Sequence, residues 1–201
     1  MRIKESKYIF EIVPNLANVF LKDYSISEEL MVQYEKYYAS TEPQLGMLEK
    51  YLNNQMSDFE VMSICKSNNS IEITINDLNY CLMAEELVRN ENLDLDIQDI
   101  KFPCVFVFHD INHYSINEVN NDGELCEITD YSIIDKSQIL LDQLIYIDST
   151  NIEIGFTLWK YIGVTGKNFL MLISANSFQV KETQIELFNK LQNGNYSDFK
   201  K

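Results

Sequence analysis

The chain has 201 residues, a hydrophobic fraction of 46%, 6 Gly, 3 Pro and a formal net charge of −15. So apolar and Gly/Pro-poor a composition excludes a disordered acidic chain, and no apolar run is long enough to form a bilayer-spanning helix. The charge is segmental: residues 68–159 hold 18 acids and 3 bases, a net of −15, whereas residues 1–67 sum to −3 and residues 160–201 to +3. A field of that sign repels phosphate and argues against a nucleic-acid partner.

The first residues carry charge, but Glu11, Pro14 and Asn15 interrupt the apolar run that follows, so no signal peptide is expected. Tyr8 to Val13 reads as a short extended piece, followed by a helix to about Lys22. Ser25-Ile26-Ser27-Glu28 is a capping box and predicts a helix to about Tyr38. Thr41-Glu42-Pro43-Gln44 repeats the signal and predicts a second helix, with Leu45, Leu48, Tyr51 and Leu52 on one stripe. Residues 57–66 admit two readings, a helix capped by Ser57-Asp58-Phe59-Glu60 or, preferred, a strand that pairs across Ser67-Asn68-Asn69 with the alternating segment Ile71 to Ile75. Asn76 or Asp77 caps a helix to about Asn90 that turns Leu78, Cys81, Leu82 and Val88 inward.

An acidic loop follows, and then Cys104 to Phe108, apolar at every position and therefore expected to be covered on both faces. His109 to His113 reads as a hairpin turn, with residues 113–119 returning as the next strand. Asn120-Asn121-Asp122-Gly123 is a second turn, since Asp-Gly readily supplies positive φ. Residues 124–131 read as a strand, 135–141 as a short helix, and 144–147 and 152–162 as strands. The last of these puts Ile152, Ile154, Phe156 and Leu158 on one face, with Glu153, Thr157, Trp159 and Tyr161 on the other. Gly163 to Lys167 is a turn, 168–175 an apolar strand, and 181–192 an amphipathic helix stopped by Gly194.

Helices early and strands late predict one α+β domain over 1–201. It would be helix-rich to residue 100 and sheet-rich over 101–180, with N-terminal helices packed against a mainly antiparallel sheet and a terminal helix at 181–193. The four cysteines form no C-x-x-C pair, and three lie in apolar segments, so reduced, buried thiols in a cytoplasmic protein are expected. The abundance of Asn, Ile and Lys fits an AT-rich bacterial or phage genome.

No catalytic motif stands out, and neither an enzymatic activity nor a cofactor is expected. His109 and His113 hold the spacing of a zinc pair, and with Asp110 they define the alternative of a metal-dependent hydrolase. Asp94 to Asp99 lacks the glycine and the terminal glutamate of a calcium loop, and Gly163 to Lys167 has the wrong spacing for a phosphate loop. Cys104 lies in an apolar segment, where a thiol is inert. A small binding protein that holds and inhibits a basic partner, such as an immunity protein or antitoxin against a toxin nuclease, is the reading that uses the charge. Its expected contacts are Asp94, Asp96, Asp99, Asp122, Glu124, Glu127 and Asp130, with Trp159 and Tyr161 as apolar anchors. A self-associating adaptor is a further alternative.

Overall fold

A computed structural model describes residues 28–52, 55–95, 100–120 and 125–199; the piece and helix expected before residue 23 lie outside them. The described elements begin with α1 (Glu28–Leu45), a 3-10 turn (Gly46–Tyr51), β1 (Glu60–Lys66), β2 (Ser70–Asn76) and α2 (Leu78–Asn90). After them come β3 (Pro103–Val119), β4 (Leu125–Glu127), a 3-10 turn (Tyr131–Ile134) and β5 (Gln138–Ile147). The chain continues through β6 (Ile152–Ile162), β7 (Thr165–Lys181), α3 (Thr183–Gln192) and a 3-10 turn (Ser197–Phe199).

The strand order is β2-β1-β5-β6-β7-β3-β4, and β2 pairs with β3 as well as with β1. Six antiparallel strands therefore close into a barrel, and β4 extends one end of the wall. The β2–β3 ladder runs from Ser70↔His109 to Asn76↔Pro103. The β1–β5 seam is short: Glu60 pairs with Gln138, flanked by Asp58 N–H to Ile139 O at 2.7 Å and Val61 N–H to Ser137 O at 2.8 Å. Beyond the seam the wall is completed by other parts of the chain. The Tyr131–Ile134 turn lies beside β1 and buries Ile134, and Met56 N–H bonds the Asp142 carboxylate of β5 at 3.2 Å.

Alternate residues of the strands fill the interior, among them Ile73, Phe106, Ile116, Phe156, Leu158 and Phe169. Leu45, Leu48, Tyr51 and Leu52, the stripe read from the sequence, join the same core. Each fully buried leucine of this set contributes roughly 1.5–3 kcal/mol of transfer free energy. Outside the barrel, α2 and α3 share a smaller apolar cluster around Phe102 and Phe188.

The expected α+β layering, with N-terminal helices on an open sheet, is overturned: strands outweigh helices among the described residues and the sheet is a closed barrel. Two features misled the sequence reading. His109 to His113 is not a turn, because β3 runs through it for 17 residues, with Asp110 at φ +54° and a register shift between Ile111 and His113. A β-bulge absorbs one extra residue without ending the strand. Residues 135–141 are not a helix either: the 3-10 turn precedes them and β5 starts at Gln138.

Smaller corrections follow the same pattern. The helix expected to end near Tyr38 runs on to Leu45, with the Ser40 and Thr41 hydroxyls bonded back to the Tyr37 and Tyr38 carbonyls at 2.6 and 2.8 Å, and the rest of the second expected helix is the 3-10 turn Gly46–Tyr51. Leu82, expected to face inward, is 63% exposed, and Ala84 is the buried residue of α2. Cys104 is buried, whereas Cys65 and Cys126 are exposed free thiols. Among the described residues no helix is long and apolar enough to cross a membrane.

Candidate functional site

The bulge in β3 sets the register of everything beyond it. His113 lies directly opposite Ser174 of β7, and Ser174 lies opposite Glu153 of β6. An imidazole, a hydroxyl and a carboxylate thus form one cross-strand row, at the strand spacing of about 4.8 Å. The row lies on the outer face of the wall, since Ile152, Ile154, Ile173 and Ala175 beside it belong to the interior. The next residue of β6 on that face is Gly155, buried opposite Leu172. A recess with about 350 Å³ of empty space, part of it open to solvent, lies over the row, lined by His113, Ile145, Glu153, Ile154, Leu172, Ile173 and Ser174.

The β5–β6 turn holds the carboxylate in place. Asp148 Oδ1 accepts from Thr150 N (2.7 Å), Thr150 Oγ1 (2.8 Å) and Asn151 N (2.9 Å), and Tyr146 donates to Oδ2 at 2.7 Å. The Tyr146 hydroxyl and the turn donors hold the Asp148 carboxyl well below its ordinary value. Asn151, oriented by that turn, donates to Glu153 Oε1 at 2.9 Å and accepts from Ser174 at 3.0 Å and Asn112 at 3.1 Å. Asn112 donates also to Asn176 at 2.7 Å. Burial raises the Glu153 carboxyl, and Ser174 pulls it partly back.

Nucleophilic catalysis does not fit this row. The serine stands between acid and imidazole, so the carboxylate cannot orient the imidazole as a serine hydrolase requires. The His113 Nε2 contact is Ser115, at 3.3 Å. The amides around Ser174 sit in a ladder paired on both sides, which leaves no oxyanion donors. Recognition by charge and hydrogen bonding is the chemistry the recess supports. Comparison with family models, curated proteins and solved structures gives no match.

The residues read from the sequence fall in different places. Asp94 follows α2 and is exposed beside Leu95, which packs on the α2–α3 cluster near the start of β3. Glu127 is exposed on β4, opposite Asn117 near the other end of β3. Register carries that row on from Glu127 and Asn117 to Leu170 and Thr157, the residue two before Trp159 on β6. Asp130 is exposed and accepts from Ser132 N and Oγ at 3.1 and 2.7 Å, bonds that hold its carboxyl below the ordinary value. Asp96, Asp99, Asp122 and Glu124 lie outside the described residues.

Trp159 and Tyr161 meet edge to face at 4.4 Å between centroids. Trp159 is half-buried and Tyr161 is 64% exposed. The hairpin tip beyond them presents Val164, 98% exposed, in a two-residue loop whose first residue, Gly163, has φ +63°. Of the metal alternative, the Asp110 carboxylate is bonded to the Asn69 amide, His109 is exposed, and the bulge separates it from His113. Among the described residues no three His, Cys, Asp or Glu are grouped to hold a metal ion. Sequence reasoning missed Glu153 and Ser174, because their juxtaposition with His113 depends on strand register across three strands. The visible signal was Glu153 and Gly155 interrupting the apolar first half of β6.

Proposed function

We propose that this is a cytoplasmic acidic binding protein that captures a basic protein partner and blocks it, as an immunity protein or antitoxin neutralises a toxin nuclease. The observation that carries this reading is how the charges are used. Lys50, Lys101, Lys167, Lys181 and Lys190 each pair with a carboxylate of the same chain. Lys160 donates to the Ile133 carbonyl, and Lys66 lies over the Tyr114 and Tyr131 rings. Exposed Glu85, Glu86, Glu91, Asp94 and Glu127, by contrast, make no ion pair among the described residues. Lys36, Arg89 and Lys136 are exposed without an ion pair among the described residues, but the exposed unpaired acids outnumber them, and that excess steers a basic protein at long range and repels nucleic acid. The exposed Tyr161, braced by Trp159, supplies a rigid aromatic anchor of the type that dominates interfaces. Free thiols at Cys65 and Cys126 accord with a reducing compartment.

The test is to capture the partner from native lysate and then measure its association rate at low and high salt. The captured protein is expected to be basic, and Asp94→Lys with Glu127→Lys should lower the low-salt association rate roughly tenfold and flatten its salt dependence. A neutral or acidic partner, or an unchanged rate, would remove this reading.

A further inference from the structure

We propose that the recess over Glu153, Ser174 and His113 is a binding site for a single organic cation, a guanidinium or primary ammonium group on an apolar stem. The inference stands on the recess itself and holds whatever partner the acidic surface takes.

Glu153 is half-buried on the outer face of the wall, and no Lys or Arg among the described residues pairs with it. A carboxylate offers about four acceptor positions. The structure shows Asn151 donating to Oε1, with the Ser174 hydroxyl beside it. The remaining acceptor capacity faces a recess, and a desolvated carboxylate without a counter-charge is costly. An incoming cation relieves that cost and gains charge-assisted hydrogen bonds, which are roughly twice as strong as neutral ones. The carbonyl oxygen of the Asn151 side chain faces Asn112 and Ser174, so its amide nitrogen is turned onto Glu153, and the asparagine network fixes the carboxylate before any ligand arrives. His113 closes the other end of the row with an imidazole that accepts a hydrogen bond when neutral. Ile145 and Leu172 form apolar walls, so the stem of an alkyl guanidinium lies along apolar surface while its head meets the acid. A neutral ligand would leave the carboxylate uncompensated, and an anion would face it directly.

The chain has two histidines, so its imidazole C–H spectrum holds two ring systems. His113 lines the recess and His109, exposed at the far side of the bulge, is an internal control. Titration of the full chain with n-butylguanidinium is expected to move the His113 signals saturably and leave those of His109 in place. Glu153→Gln, which keeps shape and removes charge, should weaken the affinity at least tenfold. Unchanged His109 signals in the variant establish that it is folded. If it is not folded, n-butanol decides on the unaltered protein: it has the same stem without the charge and should not shift His113. No saturable shift, equal shifts at both histidines, binding of n-butanol as tight as of the guanidinium, or unaltered affinity in folded Glu153→Gln would each overturn the proposal. Nα-acetyl-arginine N-methylamide separates the two sources of the group. Tighter binding than n-butylguanidinium assigns a protein side chain, and equal or weaker binding assigns a free small cation.

Discussion

At the residue scale, Gly166 explains why a tryptophan sits where it does. A Cβ at this position would lie 2.8 Å from the Trp159 indole nitrogen and 3.3 Å from the adjoining ring carbons. The missing side chain lets the indole lie over β7, from where it braces Tyr161. Gly166→Ala should push the indole out and cost about 1–3 kcal/mol, the usual range for overpacking. Trp159 is the sole tryptophan, so its fluorescence reports the site directly. A red-shifted emission with a lower unfolding midpoint is expected, and an unchanged spectrum would show that the contact matters little. The outward placement of Trp159 and Tyr161 was legible in the sequence because alternation in β6 is clean. The need for glycine at 166 was not, since it arises from a neighbour on another strand.

At the element scale, what the sequence conveyed well was periodicity, and what it conveyed badly was continuity. β2, β6, α2 and α3 were readable because each carries one period between clear stops, such as Asp77 accepting from Asn79 N–H at 3.1 Å, or Gly194 at φ +74°. β3 was read as two strands because polar His109, Asp110 and Asn112 look like a loop. In the fold they sit at a bulge that lets the strand go on.

How the elements are pinned together was equally hidden. Tyr51, in the first 3-10 turn, donates to Glu182 Oε1 and accepts from Gln184 Nε2, each at 2.8 Å, and Gln184 also reaches the α2 cap residue Asp77 at 3.3 Å. Desolvation raises the Tyr51 hydroxyl far above its ordinary value, and burial pushes the Cys104 thiol of β3 up to about 11. Tyr51→Phe keeps the ring against Phe106 and removes the hydrogen bonds between the turn and the start of α3, leaving the Gln184–Asp77 bond in place. The expected loss is about 1–3 kcal/mol, because a buried amide N–H of Gln184 loses its partner. Equilibrium denaturation by urea measures it, and an unaltered midpoint would mean that the Tyr51 hydroxyl does not hold the turn to α3.

At the scale of the whole molecule, two sets of carboxyls pull stability in opposite directions with pH. Burial raises Asp77 and Glu153 above their ordinary values of 3.8 and 4.5. For these, ionisation is harder in the folded state, so each destabilises the fold as pH rises through its folded value, and protonation removes that penalty. Hydrogen bonds lower Asp148, Asp130 and Asp198 below 3.8, and their contribution is present above 3.8 and lost as pH falls beneath it. Acidification also relieves the self-repulsion of a chain at −15. The thermal midpoint should therefore rise from pH 7 to about pH 4.5 and then fall. A midpoint that declines steadily over that first interval would contradict the burial of Asp77 and Glu153. The closed barrel itself lay beyond the sequence reading, because closure depends on Glu60 finding Gln138 and on β2 finding β3, pairings between distant segments that no local pattern encodes.

The strand that ends the sheet order, β4, has a consequence for crowding. A sheet edge presents unpaired amides and carbonyls to any passing strand, and a fold built mainly of strands is exposed to that hazard. Closure removes most of the edge by joining wall to wall. What is left at β4 is three residues long, with the carboxylate of Glu127 exposed on it. Shortness and like charge both discourage a second copy from adding its own strand there. A short acidic edge of this kind disfavours edge-to-edge pairing and so serves colloidal stability.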